Sequence, residues 1–442
     1  MNMNKTVALH TLGCKLNFSE TSAIASQFIE NGYTVIDFDK KADVYVFNTC
    51  TVTENAEKEC RQVVRRALRA NPNAYVIVTG CYAQLRPEEI SEIEGVNAIL
   101  GSEEKFRVFE LLNDFTKTDV SCIFVSPTEN LNGFGKAVSS ESVNRTRAFF
   151  KIQDGCDYKC SFCTIPLARG KSRSMNTDEL INEFKQIIHE GYKEIILTGV
   201  NVGDYRTESG NNLLSVLEKL IKIDGDFRIR ISSIEPNLLS DEIIYLTAES
   251  DKMCKHFHVP LQSGSNEILK KMQRRYRVED YRNLINKIVK IIPNAGIGID
   301  VIVGFPSETD RLFEETFNFL TDLNFSYLHV FTYSERPFTK AISMTGKVNM
   351  EVRKHRNHLL RSLSEQKKNS FYKSMLGSKQ KVLFESENQN GLIKGFTSNY
   401  IRVAVEFDPN LINRFKDIKL CEIKDGLVIG KLLETNNYFA IK

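Results

Sequence analysis

Short apolar runs alternate along this chain with stretches in which apolar residues recur every three to four positions. In the first part, runs at Thr6–Cys14, Asp43–Cys50, Ala74–Cys81 and Asn97–Gly101 read as strands. Helical periodicity lies between them, at Ser19–Asn31, Thr53–Ala70 and Pro87–Ile93. Such alternation predicts a parallel, doubly wound α/β sheet over residues 1–125. The stretch Ser126–Asn144, rich in Ser, Asn and Gly, reads as a linker.

A second series starts at residue 145. Strands are expected at Ala148–Gln153, Glu194–Thr198, Arg228–Ser232, His256–Leu261, Gly298–Gly304 and Tyr327–Phe331. Helices are expected at Thr177–Glu190, Leu213–Ile223, Leu239–Glu249, Val278–Ile292 and Glu308–Leu323. Six strands separated by helices imply an open, partial (β/α)6 barrel. Residues 351–376 form one long basic helical pattern, with seven Lys+Arg against two Glu. The tail, 377–442, changes period. Lys381–Glu385, Gly391–Phe396, Tyr400–Glu406, Ile418–Ile423 and Leu427–Lys431 are short alternating runs, which predicts a small β-barrel.

Composition narrows the picture. The 442 residues include 59 Lys+Arg, 56 Asp+Glu and a 42% hydrophobic set, a globular balance that excludes a disordered chain. A net charge of +3 neither requires nor excludes nucleic acid. No secretory leader is visible, and no run reaches the ~18 apolar residues of a membrane span. The expectation is a cytoplasmic chain without a membrane, where thiols stay reduced. The 10 cysteines are too few for a disulfide scaffold, so their positions carry the information.

Two constellations stand out. Cys156, Cys160 and Cys163 form C-x3-C-x2-C just after a strand. Structural zinc takes four ligands, whereas three thiolates on an iron–sulfur cluster leave one iron open to a small chelating molecule. A zinc loop and a thioredoxin-like pair at Cys160–Cys163 are the alternatives. Cys14, Cys50 and Cys81 share no local motif, yet each ends a predicted parallel strand. Carboxyl ends of such strands line one ligand-binding edge, and Gly13 and Gly80 allow close backbone approach there. Three buried strand-end cysteines is the bland alternative.

The first motif, with Phe162 before its last cysteine, resembles the radical S-adenosylmethionine (SAM) superfamily. Both triads together resemble the methylthiotransferase family over nearly the whole chain. The supporting motifs are Thr11-Leu-Gly-Cys-Lys-Leu-Asn17, Asn48-Thr-Cys-Thr-Val-Thr53, Gly80-Cys-Tyr-Ala-Gln84 and Gly155-Cys through Arg169-Gly170. Leu197-Thr-Gly-Val-Asn201, Ser232-Ser-Ile-Glu-Pro236, Pro260-Leu-Gln-Ser-Gly264 and Asp300-Val-Ile-Val-Gly-Phe-Pro306 continue them in order. Lys15 and Asn17 after the first cysteine, and Thr51-Val52-Thr53 after the second, resemble the branch acting on N6-threonylcarbamoyladenosine at position 37 of tRNA. The branches acting on isopentenyladenosine or on a ribosomal-protein aspartate are the nearest rivals.

The resemblance implies an amino-terminal auxiliary-cluster domain, a radical-SAM barrel and a carboxyl-terminal TRAM barrel. It implies two [4Fe–4S] clusters, one on Cys14, Cys50 and Cys81, the other on Cys156, Cys160 and Cys163. SAM is implied twice, as methyl donor and as radical source, because the adenine C2–H bond is unactivated. The partners implied are a tRNA anticodon stem-loop and a flavodoxin or ferredoxin-type electron donor. By motif position, Thr198, Gly199 and Asn201 meet the methionine part of SAM, Ser233 and Glu235 its ribose, and Phe162 and Val303 its adenine.

RNA contacts are read from charge. Arg169, Lys171 and Arg173 follow the cluster loop and are expected to touch RNA phosphate or the threonyl carboxylate; Lys379, Lys381, Lys394, Asn399, Tyr400 and Arg402 lie in the tail barrel. The runs Lys270–Arg277 and 353–373 extend that footprint. Solvated basic faces are the alternative at each. Cys60, Cys122, Cys254 and Cys421 match no cluster position, and His256 and His258 share one strand face. From outside the enzymes, a redox-inert zinc and RNA-binding module is the rival.

Overall fold

The structure is a computed structural model that describes residues 5–50, 54–112, 114–118, 120–131, 133–138 and 146–433. Its first sheet contains β1 (Thr6–Thr11), β2 (Thr34–Ile36), β3 (Val44–Thr49), β4 (Tyr75–Gly80), β5 (Ala98–Leu100) and β6 (Cys122–Phe124). The order is β2-β1-β3-β4-β5-β6, with every pairing parallel. Strand periodicity explains its two covered faces. Val44 and Val46 pack with Ile24 and Phe28 of helix α1 (Lys15–Glu30). Tyr45 and Phe47 point the other way, onto Cys60, Val64 and Ala67 of helix α2 (Glu54–Ala70). The sheet is therefore doubly wound, and its order reverses between β1 and β3.

Three expectations need correcting here. Helix α1 starts at Lys15, four residues before the Ser19 expected, so Cys14 is its N-cap. A short helix, α3 (Cys81–Leu85), was not foreseen; it begins on Cys81 itself. The edge strands β2 and β6 were also missed, being only three residues long.

Six parallel strands follow: Arg147–Lys151, Glu194–Thr198, Arg228–Ile231, His256–His258, Gly296–Val303 and Tyr327–Thr332. They form two three-stranded ladders, joined by the single parallel bridges Ile229 to Met253 and Ser233 to His258. The fourth strand is regular only to His258, although the Val259 and Leu261 N–H groups still donate to Gly298 O and Asp300 O. Ala148, Phe150, Ile195, Leu197, Ile229, Ile231, Phe257, Ile297 and Ile299 form the core beneath the helices. The alternate positions, which include Lys151, Glu194, Arg228, Arg230, His256, His258 and Asp300, turn the opposite face polar.

The long helix Met350–Met375 leads into a closed five-stranded barrel. Its strands are Lys379–Gln389, Leu392–Thr397, Arg402–Glu406, Phe415–Lys424 and Leu427–Leu432. This barrel docks beneath the six-stranded one, on the loops that precede the strands. The Asn399 amide donates to Asn294 O, the Asn413 amide to Gly191 O, and Lys255 N–H to Ser398 Oγ. The carboxyl ends of the strands, where (β/α) barrels carry their sites, lie at the other end.

Of the expected linker, 132 and 139–144 lie outside the described residues. The remainder is packed: Leu131 and Ala137 are buried, and the Thr128 hydroxyl donates to Leu167 O.

Candidate functional site

Cys14, Cys50 and Cys81 follow β1, β3 and β4, three adjacent strands at the reversal of the sheet. Asn17 sews these strand ends together. Its amide donates to Leu12 O and Thr49 O, both at 3.0 Å, and its backbone carbonyl accepts from the Asn48 amide at 2.9 Å. Its Oδ1 lies 3.8 Å from Cys14 Sγ. Both glycines are required by space. A Cβ on Gly13 would stand 2.6 Å from Cys50 Cβ, and one on Gly80 2.2 Å from Thr49 O. Burial pushes the Cys81 thiol up, opposed by Arg169 and Lys105.

Arg169 was expected to touch RNA; the structure buries it, 1% exposed. It belongs to the short helix Ile165–Arg169, just after the second cysteine loop. Its Nε donates to Cys81 Sγ at 3.2 Å, and its other N–H groups go to Glu20, Asp154 and Asn17. With no face toward solvent, it is no phosphate contact. Arg173 is mostly spent on backbone as well, donating to the carbonyls of Gly133, Arg169 and Lys171, while Lys171 is exposed.

The loop carrying Cys156, Cys160 and Cys163 is anchored at both ends. Cys156 N–H donates to Gly170 O, and Ser161 binds Met272 O and Lys271 O through its N–H and hydroxyl. Gly155 has φ +70°, and a Cβ there would lie 1.9 Å from Lys171 O. Burial pushes the Cys156 thiol up to about 12 and the Cys163 thiol up to about 11. Arg274, read from sequence as part of a basic footprint, points inward instead. It donates to Cys160 Sγ at 3.2 Å and pairs with Glu235. Arg275 stacks on Tyr158, 3.8 Å from the ring centroid. The run Lys270–Arg277 gave no hint of this inward turn, since a charge pattern carries no direction.

The residues expected around SAM cluster at the ends of neighbouring strands. Gln153 links the cysteine loop to Asn201: its Oε1 accepts the Asn201 N–H at 2.8 Å and its amide donates to Gly155 O. Gly199 packs closely on Gln153: a Cβ there would stand 2.8 Å from Gln153 Oε1 and 2.9 Å from its carbonyl oxygen. Asn201 is 4% exposed, yet neither atom of its side-chain amide has a hydrogen-bond partner. The Thr198 hydroxyl donates to Ile196 O. Ser233 bridges to His258, and Glu235 engages Arg274. Phe162 sits edge-on to Phe305, two residues beyond buried Val303.

This arrangement suits bound cofactors. Two of the six sulfurs already accept N–H groups from buried arginines, as thiolate ligands do. Among the described residues, neither triad brings its three sulfurs within 4.8 Å of one another. One tetrahedral zinc, with Zn–S bonds of ~2.3 Å, would draw sulfurs to roughly 3.8 Å. An uncommitted buried amide, that of Asn201, beside the second cysteine loop fits a polar ligand.

In the tail barrel, Asn399 is corrected from an RNA contact to a docking residue, while Tyr400 is half-buried beside it. Asn399 is buried on Asn294 O, and Tyr400 packs on His256 and Phe396 at ring distances of 4.8 Å. Arg402 lies over Phe396 at 5.4 Å. Lys379 and Lys381 are exposed; Lys394 is half-buried against Gln389. In the 353–373 footprint, Arg353 and Arg356 are buried on Glu335 and Glu308. His256 and His258 do share a face: one meets Tyr327 OH at 2.9 Å, the other Asp300 at 2.8 Å. Cys60 is core, Cys254 is buried beside Glu194, and Cys122 and Cys421 are exposed.

Comparison with known proteins agrees with this architecture. Residues 150–320 match the radical SAM superfamily, 6–101 the uncharacterized protein family UPF0004, and 373–433 the TRAM domain. The chain is 40% identical to the threonylcarbamoyladenosine tRNA methylthiotransferase MtaB of Bacillus subtilis, covering 94% of this chain and 93% of that one. It is 38% identical to the protein of the same name from Aquifex aeolicus, over 90% and 96%. It is 36% identical to a tRNA-2-methylthio-N(6)-dimethylallyladenosine synthase of Clostridium novyi, over 97% of both. Among solved structures, the radical SAM methyltransferase TsrM of Kitasatospora setae shares the fold, with a TM-score of 0.56 and 14% identity over 76% of this chain and 75% of that one. Cysteine triads on the two predicted sheets, three matched domains and near-complete coverage of these relatives agree: the chain belongs to the methylthiotransferase family, among its MtaB-like members.

Proposed function

We propose that the chain transfers a methylthio group to C2 of N6-threonylcarbamoyladenosine at position 37 of tRNA. The observation that carries the reading is the pair of cysteine triads tied through one buried guanidinium. Arg169 reaches Cys81 of the first triad, and reaches Asp154, whose carboxylate accepts Gly155 N–H next to Cys156. Cys14, Cys50 and Cys81 would hold an auxiliary [4Fe–4S] cluster and Cys156, Cys160 and Cys163 the cluster that binds SAM. Bound there, clusters and SAM would supply the methylated sulfur and the radical chemistry that an unactivated C–H bond demands.

The chain's own residues bind and orient. The unpartnered Asn201 amide suits the polar methionine end of SAM. Phe162 and Val303 offer an apolar wall for a base. Arg274 fixes Glu235 and gives Cys160 a hydrogen-bond donor. Lys379, Lys381 and Lys394, on the tail barrel, suit RNA phosphate. The threonylcarbamoyl substrate is favoured by Lys15, Asn17 and the names of the relatives at 40% and 38% identity.

Nucleoside mass spectrometry of tRNA from a deletion strain tests the substrate. The expected result is loss of the methylthiolated threonylcarbamoyl nucleoside alone. Its persistence, with loss of the methylthiolated isopentenyl nucleoside, would transfer the reading to the other tRNA branch. Iron analysis of anaerobically prepared protein tests the cofactors: about eight irons per chain are expected from two four-iron clusters.

A further inference from the structure

Beside the first cysteine triad lies a buried cluster of five charged side chains drawn from both larger domains. Glu20 on α1 and Lys105 come from the first; Lys151, Asp154 and Arg169 come from the second. Glu20, Lys105 and Lys151 are 0% exposed. Lys105 Nζ lies 2.6 Å from Glu20, and Lys151 Nζ lies 3.2 Å from Glu20 and 2.6 Å from Asp154. Arg169 Nη1 meets Glu20 at 2.8 Å and Asp154 at 3.0 Å, and Nη2 meets Asn17 at 2.9 Å and Glu20 at 3.0 Å. Its remaining donor, Nε–H, points at Cys81 Sγ. A guanidinium has five N–H donors, and all five are used.

Three cations face two carboxylates, so the cluster carries one surplus positive charge. Arg173 adds a fourth cation 3.7 Å from Asp154, partly exposed and so screened. Burying an unpaired charge is costly, and proteins rarely leave one without a counter-charge. The cluster reaches the first triad at Cys81, through Arg169 Nε–H. A [4Fe–4S]2+ core on three thiolates carries one net negative charge.

We propose that this buried cluster is the built-in counter-charge of the group held by Cys14, Cys50 and Cys81, and that Arg169 sets that group's reduction potential through its hydrogen bond to Cys81. The inference rests on the reading of those cysteines as cluster ligands. Hydrogen bonds to sulfur and local net charge are two of the protein's means of tuning iron–sulfur potentials. A positive neighbour favours the reduced, more negative state. Arg169 is thus a positioning and tuning residue. Because it also binds Asp154, beside the second cysteine loop, formation of the first site and seating of that loop are coupled.

The test uses the full chain with Cys156, Cys160 and Cys163 changed to Ala, so that only the auxiliary site is filled. After anaerobic reconstitution, iron is counted and the midpoint potential is read by redox titration followed by electron paramagnetic resonance. Arg169→Gln is expected to shift the reduction equilibrium at least tenfold toward the oxidised form, 59 mV downward for one electron. Glu20→Gln, which adds to the surplus positive charge, is expected to shift it upward. The double variant should return close to the parent. Opposite signs separate tuning from structural damage, which would move both variants the same way. If Arg169→Gln loses its iron, the upward shift in Glu20→Gln alone decides. Iron retained with unmoved potentials overturns the proposal and leaves the ligand reading intact; no iron in the parent overturns both.

Discussion

At the scale of single residues, the first site depends on two glycines and one asparagine. Gly80 has φ +99°, and its missing Cβ is replaced by Thr49 O and Asn48 Oδ1. Gly80→Ala therefore meets backbone as well as left-handed strain of roughly 1–2 kcal/mol. Its expected cost is about 3 kcal/mol or more, read as a lower urea midpoint of the metal-free chain, with about half the iron retained on reconstitution. Gly32→Ala, with φ +81° and open space around it, is the control and should cost about 1 kcal/mol. Asn17→Ala leaves Leu12 O and Thr49 O without their donor, and a loss of about 2–4 kcal/mol in the same melt is expected. The glycines were legible in the sequence because each adjoins a strand-end cysteine. Asn17 was visible as a motif letter but not as a clamp, since its partners lie 5 and 32 residues away, at the ends of two different strands. Arg169 and Arg274 misled for the same reason: nothing in a run of basic residues tells which of them will be folded inward onto a sulfur.

At the scale of elements, the alternation of apolar and polar positions gave most strands to within two or three residues. It failed where pairing partners decide the length, as in the edge strands β2 and β6. It also failed where a strand end turns directly into a helix, as at Cys14 and Cys81. The docking of the tail barrel was not legible at all. Glu194, Arg228 and Arg230 alternate or neighbour one another on two strands, where charged residues suggest solvent. They are in fact buried together. Arg228 and Arg230 grip Glu194 at 2.6 and 2.9 Å and donate onward to the carbonyls of Phe396 and Ser398. Burial alone would raise the Glu194 carboxyl, but the two arginines hold it well below its usual range. A depressed carboxylate stabilises the fold above its unfolded value, about 4.3, and that stability is lost as pH falls toward the folded value. The Glu194 contribution to unfolding free energy is thus expected to be flat from pH 7 to about 5 and to decline below about 4. Glu194→Gln should lose about 3–5 kcal/mol at pH 7 by stranding two buried cations, and should flatten part of the acid slope. Urea titrations at a series of pH values check both.

At the scale of the whole molecule, the three parts have fixed relations that assign different duties to similar-looking residues. The first domain meets the (β/α) barrel through α1, whose Phe18 sits edge-on to Phe149, and through the buried charges around Glu20. The tail barrel closes the opposite end and leaves the strand ends with their cysteine loop to the substrate. RNA bound by such a chain must reach those strand ends while charged contacts lie on the outside of the tail barrel. Lys381 is exposed there, whereas Asn399 is enclosed in the joint. The two classes predict different experiments. A phosphate contact changes the salt dependence of binding, and a docking contact changes stability. Lys381→Ala, measured as affinity for an anticodon stem-loop over a range of salt, is expected to lower the slope of log K against log[salt] by about 0.7–1 and to leave the urea midpoint in place. Asn399→Ala is expected to leave that slope unchanged and to lower the midpoint, by about 1–3 kcal/mol for the lost donor to Asn294 O. If Asn399→Ala changes the salt slope while Lys381→Ala does not, RNA follows the joint between the barrels and not the outer face of the tail barrel.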